Sequence, residues 1–387
     1  MACISVSSKL LAVTTKYNSV FLRLPDNRVN LVETVPTPHR KFAPFDPREM
    51  SLDVASSAVS PCGKWFSYCV NNKTLSVWDI DNWQLVSSRG IPRGASKIIF
   101  TADSQNILVA DKAGEVFSFP THSQEPKGTF LLGHVSILLD MIVTPDNYII
   151  TCDRDEKIRV SHYPNAYNIQ SFCLGHKEFV TSVNLLNAAR KILISSSGDG
   201  TLRLWNYLTG EQLNAHNCSV DIQPDLDKTP VPVICVQIAE LTKGIQTVFV
   251  TMHKHKEVLV YTIDSKLTFN LSQRISLPEP ALYILMSATK ELWTLCAQGV
   301  KVFTHDKTKK FVPSTNNNYQ SSITILNKYI SEFGPLDRSN DFNVLYKRKF
   351  NENDEYHQKK RARLLGEEGD AKNDTMKEVN APVAVTA

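Results

Sequence analysis

Four groups of polar residues have the side chains that catalytic or metal sites use. His253 and His255, in "MHKHKE", stand two residues apart, so in a strand both imidazoles would lie on one face and could ligate a metal. No third ligand follows nearby, which favours a polar strand face or turn. Asp153 and Asp155 are paired carboxylates, but they stand in a charged turn where burial would not tune their pKa for acid–base work.

The other two groups lie in one stretch. "SSSGDGT", from Ser195, has the glycine and hydroxyl content of a phosphate-binding loop, and with His176 it offers a serine, a histidine and an aspartate. The common nucleotide-binding, metalloprotease and hydrolase motifs are absent from the sequence. We therefore predict that the chain is not an enzyme, has no catalytic residues and holds no metal.

A repeat explains the spacing of these residues. Four similar segments start at Ser60, Thr101, Thr144 and Asn187, which are 41, 43 and 43 residues apart. Each contains two apolar strands separated by a polar turn. A period of about 40–45 residues is typical of WD-repeat propellers, in which each repeat is a four-stranded blade.

The most regular repeat runs from Gly175 to Asn206, "GHKEFVTSVNLLNAARKILISSSGDGTLRLWN". In it, His176, Ser197, Asp199 and Trp205 occupy the positions of the hydrogen-bonded tetrad of WD blades. Such a tetrad buries polar groups together with their partners. We therefore predict a structural role for these four residues.

The fold class predicted is all-β, a seven-bladed WD-repeat propeller with a basic, helical C-terminal extension. Weaker blade patterns occupy residues 1–55, 231–263 and 281–305, with strand exchange between the termini and an inserted loop from His216 to Pro230. The domain boundaries predicted are 1–311 for the propeller, 312–365 for a polar loop and basic segment, and 366–387 for a disordered tail.

Composition is consistent with an ordinary folded chain. The net charge of +4 is too small to indicate an autonomous nucleic-acid binder. The first residues lack the pattern of a signal peptide, and no apolar run is long enough to span a bilayer. The eight scattered cysteines, mostly in apolar runs, favour a reducing compartment, the cytosol or the nucleus.

The charged turn "DRDEK", which follows Cys152, departs from the repeat pattern. Strand direction predicts that it joins the second and third strands of the fourth blade, on the same face as the loop with Lys177 that enters the fifth blade. The tetrad is expected to be absent from this blade, and Arg159 is expected to pair with Glu156. Two interpretations remain open: a solvated turn, or a docking surface formed by Arg154, Asp155, Glu156, Lys157, Arg159 and Lys177.

"TCDRDEKIRVSHYP", "FCLGHKEFVTSV" and "SSSGDGTLRLW" closely resemble the non-catalytic WD-repeat subunit of the eukaryotic tRNA (guanine-N7)-methyltransferase, the Wuho family. "ILVADKAGEVFSFP" and "LYKRKF" are also similar, and the resemblance is strongest over residues 97–210. It implies a chain without cofactor that binds and stabilises a catalytic subunit in a heterodimer. That complex forms N7-methylguanosine at position 46 of tRNA, with S-adenosylmethionine bound by the catalytic subunit. The resemblance places the partner on Asp155, Glu156, Lys157, Arg159 and Lys177.

A basic segment near the C-terminus is a second candidate site. Three interpretations remain open: a nuclear-import signal at "KKRAR", contact with tRNA phosphates, or a solvated helix end. We predict location in the nucleus and also the cytoplasm. The alternative function is a general WD-repeat adaptor, such as a substrate receptor of a ubiquitin ligase. The basic residues are Lys347, Arg348, Lys349, Lys359, Lys360, Arg361 and Arg363.

Overall fold

The structure is a computed structural model. It describes residues 3–6, 10–14, 18–23, 28–33, 54–71, 73–123, 127–222, 230–333, 342 and 344–347.

The described residues form seven four-stranded antiparallel sheets, each made of four strands that are consecutive in the chain. We number these sheets as blades 1 to 7. The strands of the first four are β1 Cys3–Val6, β2 Leu10–Thr14, β3 Asn18–Arg23 and β4 Arg28–Glu33; β5 Val54–Val59, β6 Trp65–Val70, β7 Thr74–Asp79 and β8 Leu85–Gly90; β9 Ala95–Phe100, β10 Asn106–Asp111, β11 Glu115–Pro120 and β12 Thr129–Gly133; and β13 Leu138–Val143, β14 Tyr148–Asp153, β15 Ile158–His162 and β16 Ile169–Cys173.

The last three blades follow the same order, with two helices added. Their strands are β17 Val180–Asn187, β18 Ile192–Ser197, β19 Thr201–Asn206 and β20 Glu211–Asn217; β21 Val233–Thr242, β22 Ile245–Met252, β23 Glu257–Ile263 and β24 Phe269–Ser276; and β25 Ala281–Met286, β26 Leu292–Cys296, β27 Gly299–His305 and β28 Phe311–Pro313. Helix α1 is Ser219–Ile222 and helix α2 is Asn317–Phe333.

The first strands of neighbouring blades contact one another. β5 contacts β9, β9 contacts β13, and the series continues through β17 and β21 to β25, while β1 contacts both β5 and β25. In blades 2 to 7 the second strands are almost wholly buried, as in β18, where all six residues are buried, whereas none of the seven residues of the fourth strand β20 is buried. The apolar core therefore lies between the blades, and an all-β propeller of the WD-repeat type is confirmed.

Three expectations about the chain's course are corrected. The strand exchange between the termini is wrong for the described residues, since every sheet consists of consecutive strands. The inserted loop starts later than expected, because His216 still belongs to β20, where it pairs with Leu202. The polar loop "STNNNYQ" is interrupted by the start of α2 at Asn317.

Helix α2 lies against the last blade, with contacts to β27 and β3. Leu326 and Ile330 are buried against Trp293, and Asn327 Oδ1 accepts a hydrogen bond of 2.7 Å from the Val300 amide. The amphipathic helix thus packs its apolar side on β26 and β27, the two inner strands of blade 7. The predicted helix in the basic segment and the disordered tail lie outside the described residues.

Candidate partner-binding surface

Blade 5 contains a buried four-residue network that ties its entering loop to its second and third strands. His176 Nδ1 lies 3.0 Å from Asp199 Oδ2, and His176 Nε2 lies 2.7 Å from Ser195 Oγ. Trp205 Nε1 donates to the same Ser195 Oγ at 2.8 Å. The serine of the tetrad is therefore Ser195, and the prediction of Ser197 is wrong: Ser197 Oγ donates instead to the Glu178 carbonyl.

The hydrogen-bond order fixes the tautomer of His176. Because the indole of Trp205 can only donate, Ser195 Oγ accepts from it and donates to His176 Nε2, so His176 Nδ1 carries the proton donated to Asp199. Burial lowers the pKa of His176, which keeps the ring neutral. The pKa of Asp199 is also lowered, because hydrogen bonds from His176 and Thr201 outweigh the desolvation of its carboxylate.

These two shifts predict that the propeller loses stability in acid. Each group binds its proton at a higher pH in the unfolded chain than in the fold, so protonation of His176 favours unfolding as the pH falls below about 6.5, and protonation of Asp199 adds to this only below about pH 4. We expect the melting temperature to fall from pH 7 to pH 5, and to fall less steeply in His176→Gln. Thermal unfolding across this range measures both slopes, and equal slopes would contradict the assignment.

Gly175 precedes His176 because the loop passes close to the tryptophan. A Cβ atom on Gly175 would lie 3.2 Å from the Trp205 ring and 2.8 Å from Arg203 Nη1. The Gly-His pair of the repeat thus combines a close backbone approach with the ring that enters the network.

Blade 4 retains most of such a network, which corrects the expectation that it is absent there. His134 Nδ1 lies 2.9 Å from Asp153 Oδ2, and His134 Nε2 lies 2.8 Å from Thr151 Oγ1. The serine is replaced by Thr151, and the tryptophan position holds Ser161, so the indole donor is missing. The strand register shows which positions match, because Cys152 pairs with Ile158 in blade 4 as Ser196 pairs with Leu202 in blade 5. Asp153 therefore matches Ser197, and the acid of blade 4 comes two residues earlier than Asp199 does in blade 5.

The earlier acid shapes the charged turn. Asp153 Oδ1 accepts from the Lys157 amide at 3.0 Å, and the Asp153 amide donates to the Lys157 carbonyl at 3.1 Å. Glu156 occupies the left-handed region with φ 66°. Asp153 therefore closes the turn from inside, and the position that matches the blade 5 acid is Asp155, which takes no part in the histidine network.

The charged side chains of the turn reach the surface. The Arg154 amide donates to the Ile137 carbonyl at 2.9 Å, which fixes the turn to the loop entering blade 4. Arg154 Nε and Asp155 Oδ1 are 3.7 Å apart, with these side chains 37% and 29% exposed. Lys157 is exposed, and its Nζ lies 3.4 Å from the Asp155 carbonyl. The turn thus presents both signs of charge from a fixed backbone.

Arg159 has a different place from the one predicted. Its guanidinium donates to Ser161 Oγ at 2.9 Å, to the Gly133 carbonyl at 3.1 Å and to the Ala166 carbonyl at 2.8 Å. The expected pair with Glu156 is therefore wrong. Burial lowers the pKa of Arg159, and its bonds join the end of β12 in blade 3 to the turn between β15 and β16, beside Ser161 at the tryptophan position.

The structure places the charged turn and the Lys177 loop at one end of adjacent blades. Cys173, the last residue of β16, pairs with Ile158 at the start of β15, so the loop to blade 5 leaves beside the turn. Cys152 Sγ lies 3.4 Å from the Val180 carbonyl, where that loop ends. The Lys177 amide donates to Asp199 at 2.9 Å while its side chain is exposed.

A short C-terminal stretch, Phe342 and Val344–Tyr346, docks on this end of blades 5 and 6, and sequence reasoning missed it. Phe342 is 5% exposed, stacks on Phe179 with ring centroids 6.1 Å apart, and lies 5.3 Å from the His253 ring. Tyr346 contacts Phe179 edge-on at 5.0 Å and donates to the Gly198 carbonyl at 3.3 Å. Burial, with Glu178 and Asp199 nearby, raises the pKa of Tyr346 to about 12.

This docking predicts that Phe342→Ala releases the stretch without unfolding the propeller. We expect the Leu345 amide, which donates to the Phe342 carbonyl at 3.0 Å, to exchange its hydrogen at least about tenfold faster, since the stacked ring no longer holds it. Val344→Ala is the control, because Val344 is 74% exposed. Equal exchange rates in the two variants would contradict the docking.

The two histidines considered as metal ligands, His253 and His255, contact other side chains instead. His253 faces Phe342, and His255 Nε2 lies 3.1 Å from Glu257 Oε2. No group of three or more metal-ligating side chains occurs within the part of the chain that the structure describes.

No helix in the described ranges is long and apolar enough to cross a membrane. Of the basic segment only Lys347 is described, and it is exposed.

The four-residue network of blade 5, its near copy in blade 4 and the ring of four-stranded sheets define a WD-repeat propeller. A model of the WD40 domain of the tRNA methyltransferase TRM82 matches residues 66–130 and 121–322. The chain belongs to this family.

Similar proteins carry related names. The tRNA (guanine-N(7)-)-methyltransferase non-catalytic subunit WDR4 of Mus musculus is 42% identical over 46% of this chain and 43% of that protein. The subunit named wuho in Drosophila mojavensis is 42% identical over 47% of this chain and 45% of that protein. The alignments with these two relatives cover less than half of this chain and less than half of the relative's own length. The subunit named wdr4 in Danio rerio is 31% identical over 81% of this chain and 78% of that protein.

A solved structure supports the architecture alone. A chain in a crystal structure of a mitotic checkpoint complex superposes with a TM-score of 0.62 at 14% sequence identity, covering 75% of this chain and 85% of that chain. At this identity the likeness shows the propeller fold.

Proposed function

We propose that this chain is the non-catalytic scaffold subunit of a tRNA (guanine-N7)-methyltransferase heterodimer. It binds and stabilises the catalytic subunit that forms N7-methylguanosine at position 46 of tRNA, and the catalytic subunit binds the S-adenosylmethionine. The observation that carries the proposal is membership of the TRM82 family together with the names of relatives as non-catalytic subunits.

The docking surface that we propose comprises the charged turn of blade 4 and the loop entering blade 5. Its geometry supports this role, because Asp153 and His134 fix the turn from inside and leave the charged side chains at the surface. Exposed pairs of this kind add little to stability, about 0–1 kcal/mol each. Opposed charges on a partner would fix the register and speed association. Its members are Arg154, Asp155, Glu156, Lys157 and Lys177, with Arg159 as a positioning residue behind them.

The proposal extends to the whole assembly. The seven sheets form one closed seven-bladed ring, a rigid frame for the loops at each end. The basic segment that follows Tyr346 directs import into the nucleus or contacts tRNA, and the complex works in the nucleus and also in the cytoplasm.

Co-purification from cell extract, analysed by mass spectrometry, tests the proposal. We expect a tRNA (guanine-N7)-methyltransferase catalytic subunit in near-equimolar amount with the tagged full chain. Recovery of a ubiquitin-ligase scaffold without a methyltransferase would overturn the proposal in favour of the adaptor.

A further inference from the structure

Five exposed lysines gather on the opposite end of the propeller from the charged turn. They lie on turns that join first to second strands or third to fourth strands, whereas the charged turn joins a second strand to a third. We call them the lysine cluster: Lys243 after β21, Lys290 before β26, and Lys307, Lys309 and Lys310 between β27 and β28.

Direct contacts hold the three turns together. Lys290 Nζ donates to the Glu240 carbonyl at 3.0 Å, and Lys309 Nζ donates to Thr242 Oγ1 at 2.7 Å. Both turns of blade 7 therefore touch the hairpin between β21 and β22 of blade 6. The cluster is one surface across two blades.

The acidic side chains within this surface are engaged by their own turns. Asp306 Oδ1 accepts from the Thr308 amide at 2.7 Å and the Lys310 amide at 3.0 Å. Glu240 Oε1 accepts from the Gly244 amide at 2.8 Å. No ion pair joins any of the five lysines to a carboxylate of the described residues. Glu291, which follows Lys290 in the same turn, is likewise engaged, by Thr289, Ser287 and Tyr319. With five lysines against Asp306, Glu240 and Glu291, the surface keeps an excess of two positive charges.

The chemistry of the cluster suits a phosphate backbone. Ammonium groups act as compact point charges, without the bidentate fork by which arginine reads particular groups. The turns themselves contain no aromatic residue that would stack on a base or anchor a protein interface. Such a surface attracts phosphates regardless of base sequence.

We propose that the lysine cluster is an RNA-backbone site, which contacts the phosphates of tRNA while the catalytic subunit occupies the other end of the propeller. The choice of RNA rests on the proposed function. Because the cluster and the docking surface lie on opposite ends, both can be occupied at once, and the cluster adds affinity for tRNA without taking part in methyl transfer.

Salt-dependent binding of a tRNA transcript, followed by fluorescence anisotropy, tests the proposal on the full chain with its catalytic subunit. The variant is Lys243→Gln with Lys307→Gln and Lys310→Gln, whose amino groups make no hydrogen bond to a described residue. The matched control removes the same charge from the other end, with Lys73→Gln, Arg93→Gln and Lys112→Gln.

We expect the cluster variant to bind tRNA about tenfold more weakly, with a log–log salt slope smaller by about 2–3, since each lost phosphate contact removes about 0.7–0.9. The control should change the affinity less than about twofold. Equal loss in both variants, or no loss in the cluster variant, would overturn the proposal. Competition by polyglutamate as effective as that by tRNA would also overturn it, in favour of an acidic protein. Gel filtration of the same samples reports partner binding, so failure of the heterodimer is seen separately.

Discussion

Lys177→Glu is expected to weaken binding of the catalytic subunit about 100-fold, or about 2.7 kcal/mol, while the propeller stays folded. The side chain is exposed, and the loop is held by the hydrogen bond from the Lys177 amide to the Asp199 carboxylate, so the substitution reverses a charge without disturbing the network. Isothermal titration with the purified catalytic subunit measures the loss. Lys112→Glu, an exposed lysine on the same end at blade 3, is the matched control.

Substitutions at Glu156 test the same surface and separate an effect on partner binding from an effect on the stability of the fold. Glu156→Gly removes the side chain at φ 66°, where glycine is unstrained, so the fold should keep its stability or gain up to about 1 kcal/mol. We expect weaker binding all the same, and Glu156→Lys should weaken it further. If the Lys177→Glu variant and the Glu156→Lys variant each bind the catalytic subunit as tightly as the wild type does, the docking surface is refuted.

Trp205→Ala is expected to destabilise the propeller by about 3–5 kcal/mol, because it empties a fully buried site and leaves the Ser195 hydroxyl without its donor. Ser195→Ala should cost about 2 kcal/mol, since it leaves Trp205 Nε1 without an acceptor and His176 Nε2 without a donor. Ser197→Ala should cost about 1 kcal/mol, because it removes bonds to the backbone only. Urea unfolding of the three variants gives this order.

The order of the two serine variants is the sharper part of this prediction. A larger loss in Ser197→Ala than in Ser195→Ala would contradict the assignment of Ser195 to the network. An unchanged midpoint for Trp205→Ala would contradict the network itself.

The propeller was predictable because its signal repeats. Each blade needs a buried second strand and a polar turn, so a 41–43-residue period is visible even where single residues vary. The face shared by the charged turn and Lys177 followed from strand direction alone, and the contact between Cys152 and Val180 agrees with it.

Side-chain networks were less predictable, because partners two residues apart can satisfy the same histidine. Asp153 and Asp199 occupy different turn positions, yet each lies about 3 Å from the imidazole of its blade. Aligning the repeats by position therefore led to two wrong predictions: that blade 4 lacks the network, and that Ser197 rather than Ser195 belongs to the network of blade 5. The partners of Arg159 were also predicted wrongly. They are the backbone carbonyls of Gly133 and Ala166, and because every residue has a carbonyl, the sequence does not indicate which ones accept these bonds.

Long-range docking was the least predictable. The apolar spacing of Ile323, Leu326 and Ile330 is helical and would have indicated α2, whereas the contacts of Phe342 and Tyr346 with Phe179 join residues far apart in the chain. Aromatic residues in a polar segment were the one available signal.

The content of N7-methylguanosine at position 46 of tRNA tests the central claim most directly, in cells depleted of this chain and resupplied with the wild type or with Lys177→Glu. We predict that depletion lowers the modification, that the wild type restores it, and that Lys177→Glu accumulates as folded protein without restoring it. Unchanged modification after depletion, or full restoration by Lys177→Glu, would contradict the account.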